Sequence, residues 1–576
     1  DVMTFRAVEE AVAGRLRDHV ATMENMVRPD LVRETAGRRQ AGHWAHQRGG
    51  GAPEIPRDCY HAVYQALMAA AEFYALRDGQ ADRLAQPDAA SLYRAYEREL
   101  WRFDQEYRHF CEAADLAEAQ GWNILKPLRE KIEAAYTNGY LPALALAWGA
   151  FLDNDGPTDL LRTWRLPQVP NQPHFFDTFV QPRLNEFDKR KVFVVISDAF
   201  RYEAAQELTQ KLNLEFGIEA ELASQLGVVP SNTALGMASL LPHGTMAHRE
   251  NGELLVDGKP TATLEQRGEL LDAMDGVACR AGDLMAMSRE AGRNLVKGKR
   301  VVYIYHNIVD ATGDSAASES NTFSAVRRAI EELVALVRNV LVSLNGQFVL
   351  VTADHGFLFS ETAPGETEKS RLEEKPAGTI RAKKRYLLGR QLPGNEAVWH
   401  GSTKITAEAG GDMEFWVPRG LNLFHFSGGA RFVHGGAMPQ EVVVPVVSVR
   451  FNKDRGERTE NKPRPAEVQV LGNTHKITTN QHRFELLQTE KVGDRIKPVT
   501  LKIAVYEGSQ PVTNIETVTF DSASDKMDDR RKSVRLVLQD REYNKKTAYR
   551  LVLRDVDDIE RSSVPVVIDR AFSDDF

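Results

Sequence analysis

Three short apolar runs in this chain each end in residues able to do acid–base or metal chemistry. Lys191–Phe200 reads KVFVVISDAF, and its apolar, β-branched stretch stops at Ser197 and Asp198. Gln347–Thr352 (QFVLVT) leads into Ala353-Asp354-His355-Gly356. Val301–Tyr305 (VVYIY) leads into His306, Asn307, Asp310 and Asp314. Runs this short, opening into helical patterns, read as buried parallel strands. In open α/β sheets, ligands gather at the carboxyl ends of such strands. Charged groups placed there are costly unless they are paired or bind a metal. Three strand ends that each deliver a carboxylate or an imidazole fit a metal site better than they fit packing.

A hydroxyl lies between the first and third of these ends. In Val228–Leu235 (VVPSNTAL), Pro230 and Ser231 precede a helical pattern and put Thr233 in its first turn. Backbone N–H groups and the helix dipole favour an anion there, either a phosphate or an alkoxide. A hydroxyl so placed becomes a nucleophile if a metal lowers its pKa. The competing explanation is that Ser231 or Asn232 caps the helix, and the local sequence by itself favours capping. His306 reads equally well as a group orienting a ligand or as a core histidine, and His243 reads as a loop residue.

The elements that must position these residues alternate. Strand readings at Lys191–Ile196, Ile218–Ser224, Val301–Tyr305 and Gln347–Thr352 are interleaved with helical patterns at Glu203–Leu212, Thr233–Leu240, Leu264–Met274 and Thr322–Leu344. That alternation is the signature of an α/β domain, assigned here to residues 191–450. Residues 360–420 interrupt it with Gly, Pro and charge, including Arg381-Ala382-Lys383-Lys384-Arg385-Tyr386. They read as an insertion over the active face that either grips a polyanion or is a mobile surface loop. Residues 1–165 read as a helical domain, and 166–190, with Pro167, Pro170, Pro173 and Pro182, as an extended linker. Residues 451–466 read as a second linker. Residues 467–576, with recurring β-type segments between turn residues, read as a C-terminal β-sandwich. In the helical part, Tyr93, Tyr96, Trp101 and Tyr107 fit a packing stripe. Arg33, Arg38, Arg39 and Arg48 fit a solvated helix face better than a phosphate-binding patch.

Composition sets outer limits. The chain has 576 residues, 42% hydrophobic and 27% charged, enough for several globular domains. Its net charge of −8 advertises no global attraction to nucleic acid, although bound divalent cations could reverse that locally. Cys59, Cys111 and Cys279 are scattered, which points to a reducing compartment, the cytoplasm. The apolar stretch around Leu141–Leu152 is too short to cross a bilayer. The chain starts at Asp1 without an initiator Met and reads as a fragment.

Taken together, Asp198, Pro230-Ser231-Asn232-Thr233, Asp310-x-x-x-Asp314, Asp354-His355-Gly356 and His434-Gly435-Gly436 resemble the alkaline phosphatase superfamily. More narrowly, ISDAFRYE, PSNTALGMASLLP, YHNIVDATGD, TADHG and HGGAMPQEVVVP are similar to PglZ proteins of BREX bacteriophage-defence systems, from about Pro167 to Val449. The resemblance implies a doubly wound sheet core and a two-metal site, with metals about 4 Å apart. It implies Asp198, Thr233, Asp354 and His355 at one metal, with Thr233 also the nucleophile, and Asp310, Asp314 and His434 at the other. Ser231, Asn232 and Arg201 would be near substrate, with Arg201 also able to serve as a structural partner of Glu203. Position 314 is Asp where many zinc phosphodiesterases of the superfamily have His. Zinc is the first expectation, with Mn²⁺ or Mg²⁺ admitted by the harder ligand. The implied function is a metal-dependent phosphodiesterase or nuclease acting on DNA in antiviral defence, alongside other BREX proteins and away from membranes. The alternatives are a phosphomonoesterase, or a scaffold subunit of a BREX complex whose metal site is vestigial. Nothing in the sequence sets an oligomeric state.

Overall fold

The structure is a computed structural model that describes residues 6–22, 28–40, 57–153, 159–186, 191–362, 369–370, 375–424, 431–452, 464–472, 475–493, 496–508, 510–545, 547–555 and 560–569. The chain divides into two compact units. One comprises residues 1–213 and 218–451, and the other residues 214–217 and 452–576.

The first unit is built on a six-stranded sheet. Its strands are β1 (Val192–Ser197), β2 (Ile218–Leu226), β3 (Gly276–Arg280), β4 (Val301–His306), β5 (Phe348–Thr352) and β6 (Val443–Phe451). Their order across the sheet is β2-β6-β5-β1-β4-β3. β1 pairs in parallel with β4 and β5, and β4 in parallel with β3. β6 runs antiparallel between β2 and β5. The alternating faces of β1 explain the winding. Phe193 and Val195 pack with Ala204, Leu208, Val326 and Ile330, which belong to helices Tyr202–Leu214 and Thr322–Arg338. Val192, Val194 and Ile196 pack with Leu235, Met237, Leu270 and Leu271, from helices Thr233–Ser239 and Leu264–Asp272. Successive strand residues point to opposite faces, so a strand of consecutive Val and Ile demands a helical layer on each side.

Register aligns the chemistry. Ile196 lies opposite Tyr305 on one side and Thr352 on the other. Asp198 and Asp354, each two residues further on, therefore leave the sheet at the same level. The antiparallel β6 and the short β3 are not evident from local sequence. β6 reads only as an apolar run, and β3 (GVACR) has too few apolar residues to declare itself.

The helical region shares its apolar core with one layer of this sheet, so it lies within the same compact unit. Helices Arg57–Arg77 and Trp101–Ala119 dominate it. Tyr93, Tyr96, Trp101 and Tyr107 are buried there. Of the arginine group, Arg33 pairs with Asp30 and Glu72, Arg39 is buried against Glu9 at 3.2 Å, and Arg48 lies outside the described residues.

Residues 166–190, for which the prolines suggest an extended linker, instead carry short helical turns at Gln172–His174, Phe176–Val180 and Gln181–Glu186. Phe175, Phe176, Val180 and Leu184 recur at helical spacing and are buried under the sheet. Pro173 falls in a first-turn position, where the missing N–H costs nothing, and Pro182 lies where the turn Phe176–Val180 passes into Gln181–Glu186.

Within the stretch expected as an insertion, Thr379–Ala382, Leu387–Gly389, Glu414–Pro418 and Val398–Ser402 form a four-stranded antiparallel sheet with a small core of Leu387, Leu392, Val398, Trp416 and Phe424. Residues 363–368 and 371–374 lie outside the described set, as does most of the second expected linker.

The second unit is strand-rich. Val468–Val470, Gln481–Gln488 and Arg531–Val537 make one antiparallel sheet. Val499–Glu507, Tyr549–Arg554 and Glu560–Ile568 anchor another. Phe484, Leu486, Val534 and Leu536 from the first meet Ile503, Val505, Leu551 and Leu553 from the second in one core, the arrangement of a sandwich. Among the described residues, no helix is long and apolar enough to cross a membrane.

Candidate metal centre

At the carboxyl ends of β1 and β5, Asp198, Asp354 and His355 converge and are all buried. Asp354 uses Oδ1 to accept the backbone N–H groups of Ala199, at 3.1 Å, and of His355, at 3.0 Å. Ala199 reaches that bond with a φ of 57°, in the left-handed region that non-glycine residues seldom adopt. Such backbone is typical of a turn over-determined by its surroundings. Asp354 Oδ2 then faces His355 Nε2 at 3.2 Å, and Asp198 Oδ1 lies 3.8 Å from the same nitrogen.

The tautomer of His355 follows from its other partner. Nδ1 is 2.9 Å from the carbonyl of Gly356, which can only accept, so Nδ1 carries the proton. Nε2 is left as a lone pair aimed at the two carboxylates and at Thr233 Oγ1, 3.1 Å away.

His434 repeats the device. Its Nδ1 lies 3.2 Å from the carbonyl of Ser231, which leaves Nε2 directed toward Asp310 Oδ1 at 3.7 Å. The two imidazoles are stacked, 4.1 Å between centroids and within 3° of parallel. Two sets of donor atoms result, Asp198 with Asp354 and His355, and Asp310 with His355 and His434. Within each set all donor atoms lie within 4.8 Å of one another.

The electrostatics of these groups are unresolved by the protein alone. Burial, then the charges of Asp354 and Asp310, holds the Asp198 carboxyl well above its ordinary range. Burial pushes Asp354 up to about 7, despite its backbone hydrogen bonds. Burial also raises Asp310, and it drives His355 well below the usual imidazole value, with His434 adding to the effect. Asp198 Oδ1, Asp310 Oδ1 and Asp354 Oδ2 are buried without a hydrogen-bond partner. Lone pairs of the carboxylates and of the His355 imidazole therefore point at one another, an arrangement that divalent cations satisfy. The donor set of O and N ligands, without thiolates, suits Zn²⁺, Mn²⁺ or Mg²⁺.

Neighbouring candidates divide by role. Asn232 caps the helix, with Oδ1 accepting the N–H of Leu235 at 3.0 Å. Ser231 donates to the carbonyl of Gly436 at 2.7 Å and accepts the N–H of Gly435 at 3.1 Å, so its hydroxyl is committed to holding the His434 loop. Thr233, half-buried beside His355, is the hydroxyl that reaches the cluster. Asp314 lines the cavity but is exposed and belongs to neither donor set. Arg201, a candidate substrate contact, is buried, bonds Glu203 at 2.8 Å and stacks over Phe357 at 4.6 Å, and it does not line the cavity. His306 is buried and bonds Ser197 Oγ through Nδ1 at 2.9 Å, next to Asp198. His243 lies in a loop with Nδ1 2.7 Å from the carbonyl of Leu241.

Several positioning residues carry no local signal in the sequence. Glu441 accepts the N–H of Gly436 at 2.8 Å and of Met438 at 3.1 Å while pairing with the buried Arg385 at 2.7 Å. Arg385 also donates to the carbonyls of Gly420 and Asn422 at 2.8 Å each. A side chain at Gly436 would come within 2.2 Å of that guanidinium, so only glycine admits the clamp. Gln172 bridges the carbonyl of Asp354 at 2.7 Å and the N–H of Val228 at 3.0 Å. Gly236 lets the Thr233 helix touch the β5 turn, since a Cβ there would fall 2.3 Å from the Asp354 carbonyl oxygen.

A cavity of about 750 Å³ opens over the cluster, bounded by Thr233, Asp310, Asp314 and His434 on one side and by Arg267, Arg381, Lys383 and Lys384 on others.

The family model described as the BREX system PglZ alkaline phosphatase-like domain matches residues 175–449. The alkaline phosphatase-like protein BrxZ of Escherichia coli O9:H4 (strain HS) is 38% identical, over 100% of this chain and 65% of that protein. The alkaline phosphatase-like protein PglZ of Bacillus cereus (strain H3081.97) is 34% identical, over 90% of this chain and 60% of that protein. The chain thus spans a little under two thirds of the length of these curated relatives. Among solved structures, murine ectonucleotide pyrophosphatase/phosphodiesterase 5 is similar with a TM-score of 0.32 and 12% identity, covering 45% of this chain and 88% of that one.

Proposed function

We propose that the chain, whose residues 175–449 match the family model of the BREX system PglZ alkaline phosphatase-like domain, is a metal-dependent phosphodiesterase that acts on DNA through Thr233. The observation that carries the reading is the pair of donor sets at the strand ends, with buried carboxylate oxygens that lack any partner and a hydroxyl 3.1 Å from the shared histidine.

Asp198, Asp354 and His355, with Thr233, would hold one divalent cation. Asp310 and His434 would hold the other, with Asp314 at the rim. When bound, such cations lower the pKa of a coordinated hydroxyl and offset charge that builds on phosphoryl oxygens. The chain's own residues supply the geometry. The helix begun by Asn232 presents Thr233 Oγ1 to the cavity, and Gly236 lets that helix close on β5. In-line attack by Thr233 Oγ1 on a phosphodiester would form an O–P bond as one ester O–P bond breaks, with the Thr233 proton ending on the departing oxygen, so that one strand end leaves as an alcohol and the other stays esterified to the phosphate on Thr233. Water would then hydrolyse the Thr233–phosphate ester, freeing Thr233 and releasing the second strand end as a phosphate monoester. His355 and His434 keep Nδ1 protonated through Gly356 and Ser231, so both present a lone pair throughout the cycle. Zinc is the first expectation, and Mn²⁺ or Mg²⁺ the next. The scattered cysteines suit the cytoplasm as the setting, and the family match suits other BREX proteins as partners.

One observation favours a second reading, a scaffold subunit of a BREX complex. The strand-rich unit of residues 452–576 contributes no residue to either donor set among the described residues, so part of the chain serves something other than the chemistry. The test is hydrolysis of a chromogenic phosphodiester, the matched monoester and plasmid DNA, after chelation and after adding Zn²⁺, Mn²⁺ or Mg²⁺. Metal-dependent turnover that Thr233→Ala and Asp198→Ala both abolish is the expected result. A folded protein inert with every metal would favour the scaffold, and turnover confined to the monoester would make it a phosphatase.

A further inference from the structure

The cavity over the metal centre is bordered by cations as well as acids, and the cations come from separate elements. Arg267 stands on the helix Leu264–Asp272, and Lys383 and Lys384 follow the strand Thr379–Ala382 of the four-stranded insertion. Arg267 is held in place. Its Nε donates to the carbonyl of Thr261 at 2.8 Å, and its guanidinium lies 4.8 Å above the ring of Tyr305 at the end of β4. The acids nearby are partly occupied elsewhere, Glu253 by Arg249 at 2.8 Å and Glu319 by the backbone N–H of Arg431 at 3.2 Å. Arg267 and Lys383 take part in no ion pair among the described residues.

The two cations reach the cavity from different elements, Arg267 from the helix Leu264–Asp272 and Lys383 from the segment after Thr379–Ala382, and both line it together with Thr233, Asp310 and His434 of the centre. A terminal phosphate on a small alcohol would use the metal centre and leave both cations idle. A cavity of about 750 Å³ is also at the roomy end for such a ligand. A strand with a phosphate on each side of the reacting one would engage them all. A rigid guanidinium fork and a mobile ammonium are the two groups that bind backbone phosphates.

We propose that Arg267 and Lys383, assisted by Lys384, bind the phosphates that flank the reacting one, so that the cavity accepts an internal segment of a phosphodiester strand. This rests on the phosphoesterase reading of the metal centre. The test compares bis(p-nitrophenyl) phosphate, which has a single phosphate, with an eight-nucleotide single strand and a dinucleoside tetraphosphate, using the metal-loaded full chain. Arg267→Gln and Lys383→Gln should each lower kcat/KM for the strand about tenfold, mostly through KM, with a loss on the chromogenic diester at least threefold smaller. Arg267→Lys should recover part of the loss. Binding of a fluorescent, fully phosphorothioate-linked eight-mer should lose about 0.7 of its log–log salt slope for each cation removed. Equal losses on strand and chromogenic diester, an unchanged salt slope in folded variants, or a loss greater on the tetraphosphate than on the strand would each overturn the inference. If the wild type hydrolyses none of the substrates with any metal, the phosphoesterase reading itself fails and the inference falls with it.

Discussion

Two clusters of buried charge in the first unit are built from similar residues and end in opposite electrostatic states. In one, Arg108 bonds Glu203 at 2.9 Å, Glu207 at 2.7 Å and Glu112 at 2.8 Å, Arg201 bonds Glu203 at 2.8 Å, and Arg327 bonds Glu112 at 2.7 Å. Burial pushes Glu203 up, but Arg108 and Arg201 outweigh it and its carboxyl ends below the ordinary range. Glu207 is lowered likewise, through His109, Arg108 and Arg327. In the other cluster, Asp198, Asp310 and Asp354 form no ion pair with an arginine or lysine among the described residues and are all raised, chiefly by burial. The first cluster is closed by the protein and joins the helix Trp101–Ala119 to the helix Tyr202–Leu214. The second is left open, and a buried group left open calls for something from outside the chain.

The comparison breaks most visibly in activity. Thr233→Ala should lower hydrolysis of a chromogenic diester by about 10³-fold or more. Glu203→Gln, in the closed cluster, should stay within a few-fold per folded molecule. Similar losses from both would mean that the clusters do not differ in kind.

Stability should show the opposite order. Removing one partner of a buried pair leaves the other charge uncompensated, at a cost of about 3–5 kcal/mol. Glu203→Gln should therefore shift the denaturant midpoint strongly in chelated protein. Asp198→Asn removes a buried carboxyl that forms no ion pair with an arginine or lysine among the described residues, and should leave the chelated protein at least as stable as wild type. Adding a cation at about 100 times its Kd should stabilise wild type by about 2.7 kcal/mol, and Asp198→Asn should lose most of that gain. An equal gain in the two proteins would place the cation elsewhere.

Subtler changes sharpen the boundary of the open cluster. Glu441→Gln loosens the clamp on the His434 loop and should weaken metal affinity by about 10–100-fold, as for other residues that orient ligands. Calorimetric titration with Zn²⁺ reads this directly, and an unchanged affinity would reduce Glu441 to a packing role. Asp314→Asn should have the smallest effect, under about tenfold in kcat/KM, because its carboxylate lies outside both donor sets. A loss as large as that of Asp198→Asn would return Asp314 to the centre.

The parts of the site that can be read along the chain are those attached to strong local patterns. Asp198 and Asp354-His355 end buried strands, and Thr233 follows a helix start. His434 is different. It lies in a Gly-rich loop without periodicity, and only the resemblance of HGGAMPQEVVVP to a family motif marks it. Arg385 is misleading locally, since its neighbours Lys383 and Lys384 suggest a solvated run, yet it is wholly buried against Glu441. Arg201 carries the same lesson in reverse, being close to Asp198 in sequence but turned to Glu203 and Phe357. Arg267 gives no signal at all, because an arginine on an amphipathic helix is ordinary.

By itself the sequence determined the secondary elements with a strong period, the α/β class of the core and the identity of the residues at its strand ends. Those follow from short-range physics, namely side-chain alternation, helix periodicity and the cost of burying charge. The tertiary structure alone decided which residues meet. It set the register that brings Asp198 level with Asp354, the stacking of His355 on His434, and the division of labour between Ser231 and Thr233. It also turned the proline-rich stretch before β1 into packed helical turns and inserted β6 antiparallel into the sheet. These outcomes depend on contacts between residues far apart in the chain, whose energies no local window contains.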